Sequence, residues 1–205
     1  MKILFREAVN AAKGPAVFID RDGVINCRRP GGYVLDWSQF VFVPGIREAL
    51  KQLSSLGLPM IVISNQAAVG KGLLGLDGLK EITARMNETL VADGTSLAAA
   101  YYCPHRIEDD CACRKPKPAL LISAANDFNI DMSRSIFIGD SETDVEAARA
   151  AGCTPLLLGP GVHAGSVSKA SNADLLASAT PRVLFRAVAK CLHNEISVLG
   201  GNLVR

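Results

Sequence analysis

Short runs of apolar residues alternate along this chain with longer segments in which apolar residues recur every three or four positions. The short runs are too brief for most helices and are typical of strands that are buried on both faces of a parallel sheet. We therefore predict strands at residues 16–19, 58–63, 97–102, 135–138 and 155–158.

The longer segments predict helices, because proline, glycine or aspartate stands where each one would begin. These starts are expected at Pro44–Gly45, Asp77, Pro118 and Asp140, with a last helix at 183–191. Strands separated by helices predict an α/β fold with a doubly wound, Rossmann-like parallel sheet. We expect one domain over residues 1–205 and no large cap domain, with residues 28–42 and a small loop insertion that includes residues 103–113 covering the carboxyl ends of the strands.

Composition narrows the class of protein. The chain has 205 residues, of which 49% are hydrophobic, and this is enough for a substantial core. A net charge of +2 without a long basic run argues against a nucleic-acid partner. The first residues become charged too early for a signal peptide, and no apolar run reaches the roughly 18 residues of a membrane span. Together with the clustered cysteines, this predicts a cytoplasmic monomer that acts on a small molecule without a membrane partner.

Chemically useful side chains follow the ends of three predicted strands. Asp20 and Asp22 follow the first, Ser64, Asn65 and Gln66 follow the second, and Asp140 follows the fourth. An Asp-Gly turn closing a hairpin is the alternative for the first pair. Ligands of open parallel sheets bind beyond the carboxyl ends of the strands, so these groups are expected around one crevice. Paired carboxylates that would otherwise repel each other favour a bound cation there.

The second strong signal is a group of cysteine and histidine residues close together in sequence. Cys103, His105, Cys111 and Cys113 match a closed, structural zinc site with three thiolates and one imidazole. Coincidence or a disulfide pair is the alternative. Because Arg114 and Lys115 follow Cys113 directly, zinc is expected to brace the loop that brings these two cations to the crevice.

The order of these motifs from residue 16 to residue 158 resembles that of the haloacid dehalogenase superfamily of phosphatases. The resemblance implies a magnesium-dependent phosphatase in which Asp20 attacks phosphorus and Asp22 is the general acid and base. Ser64 and Lys115 would hold the phosphoryl oxygens. The expected Mg²⁺ ligands are Asp20, Asp22 and Asp140, with Asp144 nearby or in an outer position.

Within the superfamily, the zinc loop is most similar to that of the heptose 1,7-bisphosphate 7-phosphatases and is shared with the histidinol-phosphate phosphatases. The best guess for the substrate is D-glycero-D-manno-heptose 1,7-bisphosphate, which would be converted to the 1-phosphate. Arg114 is the candidate for the second phosphate, and Asn65, Gln66 and Tyr33 are candidates for the sugar hydroxyls.

Two departures keep alternatives open. The stretch between His105 and Cys111 is short, as in the histidinol-phosphate type, and Ser141 stands where the best-known heptose enzymes have lysine. Histidinol phosphate is therefore the alternative substrate. A non-catalytic binding protein stabilised by zinc is the alternative of a different class, but the intact acid, serine and lysine motifs argue against it.

Overall fold

The computed structural model describes residues 1–6, 13–29, 31–159, 176–177 and 188. The described strands are β1 (Lys2–Leu4), β2 (Val17–Ile19), β3 (Met60–Asn65), β4 (Ala99–Cys103), β5 (Ile136–Gly139), β6 (Thr154–Gly159) and β7 (Leu176–Ala177). The α-helices are α1 (Ile46–Ser54), α2 (Ala67–Gly70), α3 (Leu76–Ala92), α4 (Ala119–Phe128) and α5 (Glu142–Ala151). Short 3-10 helices cover Trp37–Gln39 and Met132–Arg134.

The strands form one sheet in the order β1-β4-β3-β2-β5-β6-β7. Strands β2 to β7 pair in parallel, which confirms the doubly wound α/β prediction. The prediction missed β1, a three-residue strand that runs antiparallel to β4 at the edge of the sheet, with Lys2 opposite Tyr101. One charged residue and two apolar ones carry too little periodicity to indicate a strand.

Alternate residues of the central strands enter two separate cores, one on each face of the sheet. Val17 and Ile19 pack with residues of α1 and α3, whereas Phe18 packs with residues of α4 and α5. This alternation follows from the two-residue period of a strand. It explains why these strands are apolar at every position, as the sequence indicated.

The helices begin close to the predicted positions. Gly45 precedes α1 and Pro118 precedes α4, as expected. Helix α3 starts one residue earlier than predicted, at Leu76, so Asp77 lies in its first turn and does not cap it. The helix predicted at 183–191 lies outside the described residues except for Val188, which is buried in the core of the α1 face.

The order in which the strands are added along the sheet reverses at β2. The chain proceeds from β2 to β3 and β4 on one side and then crosses to β5 and β6 on the other. Ligands of doubly wound sheets bind at such a switch point, beyond the carboxyl ends of the strands. No cap domain interrupts the described chain between β2 and β6. Within the described ranges, no helix is long and apolar enough to span a membrane.

Candidate active site

A cleft of about 280 Å³ opens beyond the carboxyl ends of β2, β3 and β5. Most of the side chains that the sequence assigned to chemistry line it. They are joined by residues of the segment after β2. The lining consists of Asp20, Arg21, Asp22, Arg28, Arg29, Gly32, Tyr33, Val34, Ser64, Asn65, Gln66, Ala67, Arg114, Lys115, Ser141 and Thr143.

Lys115 is the centre of a buried charge network. Its Nζ lies 3.0 Å from Asp20 Oδ1 and 2.6 Å from Asp144 Oδ1, and it donates to the Ile63 carbonyl at 3.0 Å. Burial opposes its charge, but the two carboxylates raise the pKa of Lys115, so it remains cationic. A fixed positive charge beside Asp20 is suited to hold an anionic group that approaches this carboxylate.

Asp20 is itself 5% exposed and lies directly after β2. Burial, opposed by Lys115 and reinforced by the Asp144 and Asp22 carboxylates, raises the pKa of Asp20 to about 6. Its Oδ1 accepts the main-chain N–H of Arg21 at 2.7 Å, which fixes the orientation of the carboxylate. The side chain is therefore rigid, as an attacking group needs to be.

The Asp22 carboxylate is held by a different set of donors. Arg21 Nη2 donates to its two oxygens at 2.8 and 2.9 Å, and Asn26 and Gln66 donate to them at 2.9 and 2.6 Å. Burial raises the pKa of Asp22, but the Arg21 guanidinium and these hydrogen bonds outweigh it and hold the pKa below its usual value. Asp22 is thus a charged acceptor in the substrate-free structure.

Asn65 and Gln66 hold other site residues in place. Asn65 Nδ2 donates to the Lys115 carbonyl, and the Lys115 N–H donates to Asn65 Oδ1, each at 3.1 Å. Gln66 Nε2 bridges Ser64 Oγ at 3.1 Å and Asp22. Both amides line the cleft, but these contacts give them a positioning role that the sequence prediction did not include.

Asp140 and Asp144 are placed by close backbone packing at the end of β5. A Cβ on Gly139 would lie 2.3 Å from the Asp144 Cβ, so only glycine fits there. Asp144 Oδ2 accepts the N–H groups of Asp140 and Ser141 at 3.1 Å and the Ser141 hydroxyl at 2.6 Å. The bond from the Ser141 N–H is one half of the capping box that begins α5, and the other half joins the Asp144 N–H to the Ser141 side chain. Asp144 thus caps the helix and also contacts Lys115.

Three of these carboxylates form a candidate metal site. Asp20, Asp140 and Asp144 each offer an oxygen, and the three oxygens lie within 4.8 Å of one another. Hard oxygen donors of this kind suit Mg²⁺, which usually takes one or two protein carboxylates and keeps several waters. Asp22 was predicted as a ligand, but its carboxylate lies outside this group, because Arg21, Asn26 and Gln66 hold it elsewhere.

The predicted zinc ligands also come together. The sulfur of Cys111 lies 3.5 Å from that of Cys103 and 3.6 Å from that of Cys113, and His105 Nδ1 lies 3.2 Å from Cys113 Sγ. A tetrahedral zinc with Zn–S of about 2.3 Å separates its ligand atoms by roughly 3.5–3.8 Å. A disulfide would need about 2.05 Å, and these cysteines are free. The donor set therefore fits zinc.

Tyr33 and Arg114 border the cleft on opposite segments. The Tyr33 ring lies below Lys71 Nζ, 5.4 Å from its centroid, and the Arg114 Nη1 donates to the His105 carbonyl at 3.3 Å. Arg114 is thus linked to a candidate zinc ligand through the main chain. Its remaining donors are available to a ligand in the cleft.

The sequence prediction missed the roles of two arginines. Arg21, 1% exposed, lies between the paired aspartates and binds Asp22. Arg28 forms a bidentate ion pair with Asp140, in which Nη2 lies 2.6 Å from Oδ1. The sequence could have indicated the role of Arg21, because this residue lies between Asp20 and Asp22 and can form an ion pair with one of them. Nothing local in the sequence pairs Arg28 with Asp140.

Comparisons with known proteins agree with this geometry. A family profile for haloacid dehalogenase-like hydrolases matches residues 4–152. The D-glycero-beta-D-manno-heptose-1,7-bisphosphate 7-phosphatase of Vibrio cholerae is 39% identical over 67% of this chain and 77% of its own. The D-glycero-alpha-D-manno-heptose-1,7-bisphosphate 7-phosphatase of Burkholderia mallei is 34% identical, and the match covers 78% of this chain and 88% of that protein. The structure of the D,D-heptose 1,7-bisphosphate phosphatase of B. bronchiseptica, solved with magnesium and phosphate, superposes with a TM-score of 0.68. Its sequence is 31% identical, and the match covers 70% of this chain and 80% of that one.

Proposed function

Because this chain belongs to the haloacid dehalogenase-like hydrolase family and is a phosphoric monoester hydrolase, we propose that it removes one phosphate from a sugar bisphosphate. The leading candidate is D-glycero-D-manno-heptose 1,7-bisphosphate, which would be cleaved to the 1-phosphate. The observation that carries this proposal is the buried Asp20 carboxylate, held beside the Lys115 ammonium at 3.0 Å and facing the cleft.

In the first step, an Asp20 oxygen attacks the phosphorus of the 7-phosphate. A bond forms between this oxygen and phosphorus, and the bond between phosphorus and the sugar oxygen breaks. The leaving sugar oxygen takes a proton from Asp22, and Lys115 with the Ser64 hydroxyl holds the charged phosphoryl oxygens. For this acid role Asp22 has to leave Arg21, which favours its charged form, and take up a proton from solvent before the step.

In the second step, the Asp22 carboxylate accepts a proton from a water molecule as the water attacks the phosphoaspartate. The bond between Asp20 and phosphorus breaks, and inorganic phosphate and the free carboxylate result. The charged form of Asp22 that the structure favours is the form that this base role requires.

We propose that Asp20 and Asp140 hold Mg²⁺, with Asp144 beside them and Asp22 able to join them once it is free of Arg21. When bound, Mg²⁺ would neutralise charge on the phosphoryl oxygens. We also propose zinc at Cys103, His105, Cys111 and Cys113 as a structural brace. The ligand-atom distances support the zinc site, and the acidic cluster supports the magnesium site.

The second phosphate of the substrate needs a cation outside this cluster. Arg114 borders the cleft next to Lys115 in sequence, and its planar guanidinium can bind phosphate with two parallel hydrogen bonds. Tyr33, Asn65 and Gln66 line the space between, where they could contact sugar hydroxyls. The relatives include enzymes named for the beta and for the alpha anomer, so the proposal names the heptose and leaves its anomer open.

We further propose that residues 1–205 form a single domain that acts as a monomer in the cytoplasm. Thiolates that bind zinc need a reducing compartment, and the described cysteines are free. Sedimentation of the purified protein at the mass of one chain supports the monomer, and a dimer mass contradicts it.

A turnover screen over both anomers of the heptose bisphosphate, histidinol phosphate, nucleotides and an aryl phosphate tests the substrate. The account predicts the highest kcat/KM for a heptose bisphosphate. Faster turnover of histidinol phosphate contradicts the substrate assignment and supports the alternative that the short segment between His105 and Cys111 suggests.

Arg114→Ala tests the second-phosphate site. Loss of charge-assisted hydrogen bonds is expected to lower kcat/KM for the bisphosphate about 10- to 100-fold and to lower it much less for the aryl phosphate. Equal losses on both substrates would make Arg114 a structural residue of the loop. Arg134 lies outside the lining of the cleft. Arg134→Ala is therefore the control and should leave kcat/KM unchanged for both substrates.

A further inference from the structure

Arg28 occupies an unexpected place in the site. It comes from the segment after β2 that borders the cleft, and its guanidinium is paired with both oxygens of Asp140. The arginine side chain is 57% exposed, whereas that of its partner is only 6% exposed. The pair therefore joins a long, exposed side chain in the lining of the cleft to a buried carboxylate.

The same carboxylate belongs to the candidate magnesium site. Asp140 offers an oxygen to the group that it forms with Asp20 and Asp144. Arg28 hydrogen-bonds both Asp140 oxygens, so a cation at this group would compete with the guanidinium for them. Two cations that share one carboxylate also repel each other.

Electrostatics favours Arg28 at this place when only the acids are present. The Arg28 guanidinium is bonded to Asp140, and oxygens of Asp20 and Asp144 lie within 4.8 Å of an Asp140 oxygen, so three negative charges attract it. Three acids and one buried lysine leave an excess of negative charge at the base of the cleft. A divalent cation there removes this excess and with it most of the attraction for Arg28.

We propose that Arg28 exchanges with Mg²⁺ at Asp140 and, once displaced, binds the non-reacting phosphate of the substrate. The second half of this inference rests on the proposed bisphosphate substrate. Arg28 lies with Arg29, Tyr33 and Arg114 in the lining of the cleft, so its released guanidinium remains among the groups that face a bound ligand. Guanidinium groups bind phosphate well because their fork of donors matches its oxygens.

The packing around Asp140 keeps it available for this exchange. Gly23 has φ +97°, and a Cβ there would lie 1.7 Å from Asp140 Oδ2 and 2.8 Å from Arg28 Nε. The absence of a side chain at Gly23 thus gives both partners the space that they occupy. Asp140 stays in place while the long arginine side chain is the part that can move.

Calorimetric titration of the substrate-free enzyme with Mg²⁺ tests the first half. Arg28→Gln removes the competing charge and is expected to tighten Mg²⁺ binding about 1.5- to fivefold, which is the range expected from an exposed ion pair. Arg149→Gln, an exposed change of the same charge on α5, should leave the dissociation constant unchanged. An unchanged or weaker affinity in Arg28→Gln would overturn the exchange.

Kinetics at saturating Mg²⁺ tests the second half with two matched substrates, the heptose bisphosphate and the same heptose carrying only the 7-phosphate. Arg28→Gln is expected to raise KM for the bisphosphate about 10- to 100-fold and to change KM for the monophosphate far less. Arg28→Lys should recover part of the loss, because it restores the charge without the fork of donors. Equal effects on both substrates would overturn the phosphate contact.

The outcomes separate this inference from the proposed function. If the wild-type enzyme does not prefer the bisphosphate over the monophosphate, the proposed substrate and the phosphate contact of Arg28 both fail. The magnesium titration does not involve a substrate and decides the exchange by itself. If the wild type prefers the bisphosphate while Arg28→Gln retains that preference, the substrate stands and the role of Arg28 is wrong.

Discussion

The two candidate metal sites of this protein are built in opposite ways. Asp20 and Asp140 follow adjacent parallel strands, and Asp144 lies in the first turn of the helix that follows β5, so the fold itself positions all three. Of the zinc ligands, Cys103 ends β4, and the other three lie in the irregular loop that follows. The ion pairs of this loop are local and exposed, such as Arg106 with Asp109 and Lys117 with Asp110. Exposed pairs of this kind contribute little stability.

The difference indicates what each metal does. The acidic site lies where β2 and β5 end, and its Asp20 lines the cleft, so a cation bound there would be able to exchange and take part in chemistry. The zinc site uses all four protein ligands, so zinc there would replace the missing core of the loop. The loop has to be held because it delivers Lys115, and its contact with the rest of the site includes the Gly70 N–H that donates to the Pro104 carbonyl at 2.7 Å.

Removal of the attacking group from the acidic site should give the largest effect. Asp20→Asn keeps the size of the side chain but cannot attack phosphorus, so kcat should fall on the order of 10⁴-fold or more. Steady-state assays with the heptose bisphosphate and with an aryl phosphate at saturating Mg²⁺ check this. Circular dichroism should show an unchanged fold. Substantial residual activity in folded protein would refute the assignment of Asp20.

Damage to the zinc site should have a smaller and indirect effect. Cys111→Ser removes one thiolate, and the loop that carries Lys115 should loosen, which lowers kcat about 10- to 100-fold. Elemental analysis should find about one zinc per chain in the wild type and much less in this variant. Cys27→Ser is the matched control and should retain both zinc and activity. Wild-type protein without zinc but with full activity would contradict the structural role.

Removal of the hydrogen bonds that connect the two regions should give the smallest of the three effects. Asn65→Ala removes the reciprocal hydrogen bonds to the Lys115 main chain and is expected to lower kcat about tenfold through misplacement of the ammonium group. Zinc content should not change, which separates this variant from Cys111→Ser. Asn87→Ala on α3 is the control. A change in KM alone, with kcat retained, would indicate that Asn65 serves substrate binding and does not position Lys115.

The sequence predicted those parts of the site that depend on neighbouring residues. Apolar runs indicated the strands, and the polar residues at their ends, such as Asp20 and Ser64, therefore had to meet at one edge. The zinc ligands were predictable because they lie within eleven positions of one another. The pattern could not reveal the Arg28–Asp140 pair, which joins residues 112 positions apart, or the hydrogen bonds between Asn65 and the Lys115 main chain. These contacts depend on how loops lie across the sheet, which periodicity does not record.

The central claim is that Asp20 carries the phosphoryl group between the two chemical steps. It is tested most directly by mixing Asp22→Asn with Mg²⁺ and an aryl phosphate, followed by acid quench and peptide mass spectrometry. An aryl leaving group needs little protonation, so the first step should proceed, whereas loss of the general base should slow the second about 10²- to 10⁴-fold. The account predicts a peptide that gains one phosphoryl group at Asp20. Continued release of the aryl alcohol without phosphorylation of Asp20 would contradict it.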